Sequence, residues 1–278
     1  MALDGELAGL ARDGLVLLGC GKMGTALLTG WLAAGVPARA VWVIEPNPGD
    51  WLKTLGVHLN QGVPPAPAVA LLAVKPQMMG AALPALQALG NGRTLFISIA
   101  AGTSIASFEV VLGARTPIVR TMPNTPAMVG RGITGICANV FAGAEGLAMA
   151  RALMAAVGEV VELAGEQQID AVTAVSGSGP AYVFHLIEAL AAAGIAEGLP
   201  ADVAMQLARA TVCGAGELAY RAPESVEQLR KNVTSPGGTT AAALALLMDA
   251  KTGLSPLLAR AVHAAAERGR ELGRELGK

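Results

Sequence analysis

A glycine-rich segment near the start of the chain has the spacing of a dinucleotide-binding turn. The apolar run Leu15–Leu18 leads directly into Gly19-Cys20-Gly21-Lys22-Met23-Gly24, and a helical segment follows. In a G-x-G-x-x-G turn the first glycine permits the bend, the second admits the pyrophosphate, and the third lets the helix pack on the strand. Helix N–H groups then face the phosphates. We therefore predict that a nicotinamide or flavin nucleotide is bound by Gly19, Cys20, Gly21, Lys22, Met23 and Gly24.

Glu45, which follows the next apolar run, bears on the choice of dinucleotide. It lies about 20 residues after Gly24, where an acidic residue accepts hydrogen bonds from ribose hydroxyls. A carboxylate there repels a 2′-phosphate, which favours NAD(H). Asn47 could donate a hydrogen bond to that phosphate, and Glu45 could instead point into solvent. Both NAD(H) and NADP(H) therefore stay open.

Two further strand ends are expected to line the same crevice, because ligands of open α/β sheets bind at the carboxyl ends of the strands. Small residues after one of these strands would allow close approach of a nicotinamide ribose or ring. The alternatives are that Lys75 is an ordinary surface lysine and that the two prolines around Asn124 make only a rigid connector. The predicted cofactor contacts from these two ends are Val74, Lys75, Pro76, Gln77, Ala100, Ala101 and Gly102. Asn124, which follows another strand, is also a predicted cofactor contact.

A second candidate site lies in the later half of the chain. A glycine-rich break, Ser176-Gly177-Ser178-Gly179-Pro180, separates two helical segments, and Ser235-Pro236-Gly237-Gly238-Thr239-Thr240 opens another helix. The free N–H groups of such a helix start form a carboxylate site, worth about 0.3–1 kcal/mol from the helix dipole alone. The alternative, a plain capped helix, explains one hydroxyl but not the whole stretch.

The elements that must position these residues change character along the chain. Short apolar runs alternate with helical segments such as Thr25–Ala34, Pro84–Leu89 and Gly143–Ala156, which predicts a mostly parallel sheet covered on both faces. After Gly165 only helical patterns remain. The predicted strands are Leu15–Gly19, Val41–Ile44, Ala70–Val74, Leu95–Ser98, Ile118–Thr121, Ile133–Ala138 and Val160–Leu163. The predicted later helices are Gln167–Ser176, Ala181–Glu197, Ala201–Arg221, Val226–Asn232, Thr239–Ala250 and Ser255–Leu276.

The predicted fold class is therefore α/β. A Rossmann-like doubly wound sheet in a dinucleotide-binding domain, residues 1–164, is followed by an all-helical domain, residues 165–278.

Composition excludes several classes of function. The 278 residues carry 20 Lys+Arg against 21 Asp+Glu, a net charge of −1, which argues against nucleic acid as a partner. Ala181–Leu199 contains His185, Glu188 and Glu197, so we expect a buried helix and no membrane span. The three cysteines and three histidines are scattered, which predicts no metal site. The acidic start of the chain has no signal-peptide pattern, so we expect a cytoplasmic location.

Taken together, the motifs closely resemble those of pyrroline-5-carboxylate reductases, and they occur in that family's order. The resemblance covers essentially residues 15–272. The matching stretches are Gly19–Gly24, Ala73–Gln77, Ser98–Ile105, Arg120–Pro126, Asp170–Tyr182 and Thr234–Thr240.

The resemblance implies reduction of 1-pyrroline-5-carboxylate to L-proline by hydride from NADP(H) or NAD(H). It also implies a homodimer with interlocked helical domains that can assemble further, and residues 165–278 as the dimerisation and substrate-binding domain. It adds Asn47 to the cofactor contacts. From the chemistry of imine reduction, we predict that Thr240 hydrogen-bonds the ring nitrogen as the catalytic residue. The implied contacts with the substrate, a cyclic imino acid, are Asn232, Ser235, Gly238, Thr239 and Thr240. Two residues, Glu45 and Val63, depart from the family's usual pattern. Both count against a strict preference for NADPH.

Two other functions remain as alternatives. A β-hydroxyacid or 6-phosphogluconate-type dehydrogenase resembles this architecture, but such enzymes carry a lysine base where this chain has Val183. A non-catalytic nucleotide-binding protein would keep the first site. It would not need the second anion pocket at residues 235–240.

Overall fold

The computed structural model describes residues 10–276, and its first half is built on one eight-stranded sheet. Its order is β3-β2-β1-β4-β5-β6-β7-β8, with β7 antiparallel to β6 and all other neighbours parallel. The chain turns outward from β1 and later returns to its other side, which places a crevice at the carboxyl ends of β1 and β4. The strands are β1 Leu15–Leu18, β2 Val41–Ile44, β3 His58–Leu59, β4 Val69–Leu72, β5 Leu95–Ser98, β6 Ile118–Met122, β7 Gly132–Ala138 and β8 Gly158–Glu162. The predicted doubly wound α/β fold is confirmed.

Helices connect the strands and then make up the rest of the chain. The α-helices are α1 Lys22–Ala33, α2 Asp50–Lys53, α3 Pro76–Ala82, α4 Ile105–Leu112, α5 Gly143–Ala155, α6 Ile169–Val172, α7 Gly179–Ala196, α8 Ala201–Arg221, α9 Val226–Asn232, α10 Thr239–Leu247 and α11 Leu254–Leu276. Shorter 3₁₀ helices are Ala38–Ala40, Leu83–Leu89, Thr125–Val129 and Glu166–Gln168, and Thr173–Gly177 forms a π-helical turn.

The central strands β1, β4 and β5 are buried on both faces, as in parallel sheets generally. Along β1, Leu15 and Leu17 join one apolar layer, which includes the fully buried Trp31. Val16 and Leu18 point to the opposite layer, which contains Phe96 and Phe108. The two layers fix the strand ends that carry the candidate cofactor residues.

The observed elements differ from the predicted ones at several places. Strand β3 was not predicted, because two residues give no periodic pattern; His58 stacks on Trp42 with ring centroids 4.4 Å apart. Pro84–Leu89 lies in a 3₁₀ helix, where Pro84 supplies no N–H donor. The predicted helix Gln167–Ser176 is broken, and the hydroxyl of Ser176 donates to the carbonyl of Val172 within the π-helical turn.

The described chain divides into two compact units. The sheet unit comprises the described residues up to Gly177 and those from Ala265 onward, and the helical unit is Ser178–Ala264. By packing, the stretch between the predicted boundary at 164/165 and Gly177 therefore belongs with the sheet. Residues 1–9, on which most of the signal-peptide expectation rests, lie outside the described residues.

The helical unit has a small core and a large apolar surface. Helices α7 and α8 approach each other through the buried Ala191, Ala204 and Ala208. The expectation that Ala181–Leu199 is buried is wrong for the chain taken alone, because alanine contacts cover only a narrow strip of each helix. The exposed large apolar side chains include Phe184, Leu186, Leu190, Ile195, Leu207, Leu218, Tyr220, Leu246, Leu247 and Met248.

One segment has the length and composition of a membrane-crossing helix. Within Glu166–Ala196, the most apolar stretch of 18 residues has a mean hydropathy of 1.3, and 6% of that stretch is buried in this chain. The segment is not one continuous α-helix, since the π-helical turn interrupts it before α7 begins. Its longest helical part also carries His185 and Glu188, which pair with each other 3.1 Å apart.

Candidate functional site

The three glycines of the first turn have three different environments. Gly19 has φ +89°, and a Cβ there would lie 2.9 Å from the backbone of Ala73. A Cβ on Gly24 would lie 2.7 Å from the carbonyl oxygen of Gly19, so this glycine permits the close approach of α1 to β1. A Cβ on Gly21 would meet no protein atom within 4 Å. The protein itself thus requires the first and third glycines, and the space at the second is open to a ligand.

The start of α1 is suited to an anion. Gly21 is its N-cap, no side chain caps the helix, and its first turn contains no acidic residue. The first N–H groups of the helix therefore have no helical acceptor and are directed out of its end. An open cradle beside an uncapped helix of 12 residues fits the pyrophosphate of a dinucleotide.

Glu45 is fixed against this turn, so the alternative that it points into solvent is wrong. Its Oε2 accepts the N–H of Cys20 at 2.8 Å, and its Oε1 accepts the N–H of Asn47 at 3.0 Å. Asn60 holds its backbone, since the amide of Asn60 bonds both the N–H of Glu45 at 3.0 Å and its carbonyl at 2.9 Å. Sequence reasoning missed Asn60; its only signal is an asparagine before Gln61-Gly62, a residue type that tolerates its φ of +53°.

Cys20 is a half-buried residue of the turn. Burial raises the pKa of its thiol, and the nearby Glu45 carboxylate raises it further, against the hydrogen bond with Thr25. The thiol is therefore held protonated and is a poor nucleophile. Its backbone N–H, which Glu45 engages, is the part of Cys20 that contributes to the site.

The ends of β4 and β5 lie beside the turn in the sheet. Lys75 is exposed and is the N-cap of α3, with Pro76 as the first helical residue. After β5, the hydroxyl of Ser98 accepts the N–H of buried Ala100 at 3.1 Å. Gly102 has φ +71°, and a Cβ there would lie 3.3 Å from the Cβ of Leu272, so packing against α11 also accounts for this glycine.

Asn124 has protein partners on both sides of its amide. Its Oδ1 accepts the N–H of Ile133 at 2.9 Å, and its Nδ2 donates to the carbonyl of Ser176 at 3.2 Å. This buried side chain ties the loop after β6 to the start of β7 and to the π-helical turn. The observed role is to brace the loop, and its contact with a cofactor stays a prediction.

Arg120 and Glu166 form an ion pair that sequence reasoning missed. The Nη1 of the buried Arg120 lies 2.7 Å from Oε1 of Glu166, which also accepts the N–H of Ile105 at 2.8 Å. The pair connects β6, the start of α4 and the 3₁₀ helix after β8. In the sequence, Arg120 is notable only as the first residue of the Arg-Thr-Met-Pro-Asn stretch. No pattern in the sequence indicates which carboxylate it pairs with.

The second glycine turn opens α10 within the helical unit. Gly237 has φ +70°, and Gly238 is the N-cap of this nine-residue helix, which has no side-chain cap and no acidic first turn. A Cβ on Gly238 would lie 2.5 Å from Oγ of Ser235. Thr239 is exposed and Thr240 is half-buried. This is a second uncapped helix start, now with two hydroxyl groups beside it.

Not all predicted substrate residues share one environment. Asn232, at the end of α9, is exposed and accepts a hydrogen bond from Gln228 at 2.7 Å. A cavity of about 410 Å³ adjoins the turn, and it is lined by Arg230, Lys231, Thr234, Ala241, Leu244, Ala245 and Met248. The predicted cofactor residues at the ends of β1, β2, β4 and β5 lie along one edge of the sheet unit, and the predicted substrate residues lie in the helical unit.

A Rossmann-like sheet with an open dinucleotide cradle, joined to a helical unit with a second uncapped helix start, is typical of a dinucleotide-dependent oxidoreductase. Residues 166–272 match the family model described as pyrroline-5-carboxylate reductase dimerisation, and residues 15–102 match one described as NADP oxidoreductase coenzyme F420-dependent. The chain belongs to the pyrroline-5-carboxylate reductase family.

Curated relatives match along nearly the whole chain. It is 44% identical to the pyrroline-5-carboxylate reductase of Synechocystis, over 94% of this chain and 98% of the relative. It is 39% identical to that of Pseudomonas aeruginosa, over 95% and 98% of the two chains.

Solved structures agree with the observed fold. A pyrroline-5-carboxylate reductase from Coxiella burnetii superimposes with a TM-score of 0.87 at 36% identity, covering 94% of this chain and 98% of that one. The Plasmodium falciparum pyrroline carboxylate reductase, solved with NADP bound, gives a TM-score of 0.81 at 29% identity, covering 95% and 99% of the two chains.

Proposed function

We propose that this chain reduces 1-pyrroline-5-carboxylate to L-proline, the last step of proline biosynthesis, with NADH or NADPH as the hydride donor. The observation that carries the proposal is the uncapped start of α10, because a cyclic imino acid needs a carboxylate site in addition to a dinucleotide site. A non-catalytic nucleotide-binding protein would have no use for it. The dehydrogenase alternative lacks a base, since Val183 on α7 replaces the lysine it requires.

The substrate carboxylate is bound by the N-terminal N–H groups of α10 around Gly238, Thr239 and Thr240. Each helix N–H there lacks a helical acceptor, and a glycine N-cap leaves room for a small anion. Ser235 and Asn232 complete the polar surroundings of the ring. The carboxylate is thereby oriented by backbone dipoles that need no reorganisation during the reaction.

The Thr240 hydroxyl hydrogen-bonds the ring nitrogen of the substrate. Bound reduced nicotinamide supplies a hydride to the imine carbon, and the nitrogen keeps the proton that makes the imine a good acceptor. Because a hydroxyl is a weak acid, Thr240 stabilises this proton, and water or prior protonation in solution provides it. The chain's contribution is mainly orientation of the imine carbon.

The cofactor contacts remain those predicted from the sequence. In the sheet unit, Gly21 and the start of α1 hold the pyrophosphate, and Glu45 with Asn47 meets the adenosine ribose. The ends of β4 and β5 hold the nicotinamide half of the cofactor, and Asn124 also contacts the cofactor. The residues at the two strand ends are Val74, Lys75, Pro76, Gln77, Ala100, Ala101 and Gly102.

The active form is a homodimer with interlocked helical units that can assemble further, located in the cytoplasm. Support comes from the dimerisation family model over residues 166–272 and from the apolar side chains exposed on α7 to α10. In this arrangement the α10 turn of one copy serves the cofactor site of the other.

The experiment is a turnover assay that follows loss of reduced nicotinamide absorbance with pyrroline-5-carboxylate, using NADH and NADPH in parallel. The control runs the reverse direction with 3-hydroxy acids and an oxidised cofactor. We expect imine reduction and no alcohol oxidation. Absence of imine turnover with both cofactors would refute the proposal, and alcohol oxidation alone would favour the dehydrogenase.

A further inference from the structure

Family membership does not decide between NADH and NADPH for this chain. The Plasmodium relative was solved with NADP, and the family model over residues 15–102 is also described by NADP. The deciding contact is made at the adenosine ribose, where the end of β2 meets the glycine turn. This chain has Glu45 at that position, and its carboxylate lies against the turn itself.

We infer that Glu45 makes this chain prefer NADH over NADPH. The inference rests on the proposed function only in taking the cradle as a nicotinamide dinucleotide site. Glu45 acts as a specificity-determining residue that rejects the 2′-phosphate, in addition to its contact with the ribose.

The Glu45 carboxylate is held in place by backbone donors. Two backbone N–H groups, of Cys20 and Asn47, donate to its two oxygens, and the amide of Asn60 clamps its backbone. Rotating the side chain away to admit a phosphate would break two charge-assisted hydrogen bonds. Glu45 is therefore a fixed negative charge at the ribose end of the cradle.

No ion pair neutralises the Glu45 carboxylate among the described residues. Across residues 10–276, no Lys or Arg forms an ion pair with Glu45. Lys53, in the following α2, is paired with Asp50 at 2.9 Å. Arg39 precedes β2 and so lies at the opposite end of that strand. The Asn47 side chain is neutral and exposed, and its N–H already donates to Glu45.

The remaining hydrogen-bonding capacity of Glu45 matches a ribose. An ionised carboxylate has about four lone-pair sites, and the two N–H groups occupy two of them. The other two can accept from the 2′- and 3′-hydroxyls of NADH. A 2′-phosphate brings only acceptor oxygens and about −1.5 to −2 charges, so it has no donor for Glu45 and is repelled by it.

The test compares direct binding of NADH and NADPH to the full-length protein, by nicotinamide fluorescence, without imine present. We expect NADH to bind at least about tenfold more tightly in the wild type. Glu45→Gln keeps an acceptor oxygen and removes the charge. The ratio of the NADPH dissociation constant to the NADH dissociation constant should therefore fall at least about fivefold, mainly through tighter NADPH binding. The matched control is Glu159→Gln on β8, six strands or about 29 Å away, which should leave the ratio unchanged.

Ionic strength gives a second measurement that needs no variant. Repulsion between Glu45 and a 2′-phosphate is screened by salt, so the wild-type ratio should fall as salt increases. A cationic phosphate site would make the ratio rise. Equal or tighter NADPH binding in the wild type, a ratio that rises with salt, or an unchanged ratio in Glu45→Gln would each overturn the inference.

The outcome is separable from that of the proposed reaction. NADH preference without imine turnover would refute the reaction and leave the role of Glu45 in place. Imine turnover together with tighter binding of NADPH would support the reaction and refute the role of Glu45.

Discussion

The sheet unit and the helical unit differ in where their large apolar side chains lie. In the sheet unit, two apolar layers enclose the strands, and the largest side chains such as Trp31, Phe96 and Phe108 are fully buried. In the helical unit the buried side chains are mainly alanines, and large residues such as Phe184 and Leu246 are exposed. Contiguous exposed apolar surface marks an interaction site. The first unit therefore has a complete core, and the second requires another copy to cover its surface.

The largest expected effect comes from a charge placed on the apolar surface of the helical unit. Leu246, on α10, is 77% exposed in the chain. Leu246→Glu should give monomers where the wild type is dimeric and lower imine turnover at least about 100-fold, because an unpaired charge would be buried in each half of the interface. Sedimentation and turnover measure both effects.

The control for that variant lies in the sheet unit. Val140 is 87% exposed, and Val140→Glu should leave assembly and turnover unchanged. A dimeric, active Leu246→Glu protein would contradict the assignment of this surface to the interface.

The glycine turn offers a matched pair of variants within the sheet unit. Gly21→Ala adds a methyl group to open space, so it should weaken NADH binding at least about tenfold without loss of stability, because the methyl occupies the pyrophosphate position. Gly24→Ala places its methyl against the carbonyl of Gly19 and should lower the free energy of unfolding by about 1–3 kcal/mol. Fluorescence titration and urea unfolding distinguish the two. Equal effects on stability would show that Gly21, too, serves the protein's own packing.

Thr240→Ala tests the second anion site. The variant should lower kcat/KM for the imine at least about tenfold, because it removes a hydrogen bond made in the transition state. NADH affinity should not change, and Thr240→Ser should restore most of the activity. Thr211→Ala, an exposed threonine of α8, is the matched control. Wild-type kcat/KM in Thr240→Ala would remove Thr240 from the mechanism.

Of these variants, Glu166→Gln should change imine turnover least, and its effect is on stability. Glu166→Gln leaves the buried Arg120 without its ion pair, and we expect a loss of about 2–3 kcal/mol in the free energy of unfolding. Glu162→Gln breaks the exposed pair with Arg151 and should cost less than about 1 kcal/mol. All three tryptophans lie in the sheet unit, so their fluorescence during urea unfolding reports on it directly. Equal losses in the two variants would contradict this difference.

The sheet unit was more predictable from sequence than the site, for a physical reason. Apolar runs such as Val41–Ile44 and Leu95–Ser98 become strands with the same bounds, because burial on both faces leaves a strong local signal. Contacts that join distant segments leave none. The clamp of Asn60 on Glu45 and the pairing of Arg120 with Glu166 depend on the sheet order, which no local pattern encodes.

In the helical unit the sequence predicted the helices but not their exposure. Alanine-rich patterns predict helices equally well whether the partner surface belongs to the same chain or to another copy. In the sheet unit, the π-helical turn at Thr173–Gly177 was also missed, since it depends on hydroxyl groups that bond back to the preceding turn. The placement of Gly237 and Gly238 before α10 was predictable, because a glycine turn before two threonines is a local signal.

We propose that the helical unit of one copy completes the cofactor site of another copy, and mixed dimers distinguish this arrangement from one in which each copy uses its own helical unit. One copy carries Gly21→Leu, which blocks the cradle, and the other carries Thr239→Ala with Thr240→Ala, each with its own purification tag. If sites form across the two copies, a mixed dimer has one site free of substitutions, and a statistical mixture should recover about a quarter of wild-type imine turnover. A mixture no more active than the two parent proteins would show that each copy uses its own turn, and would contradict the account.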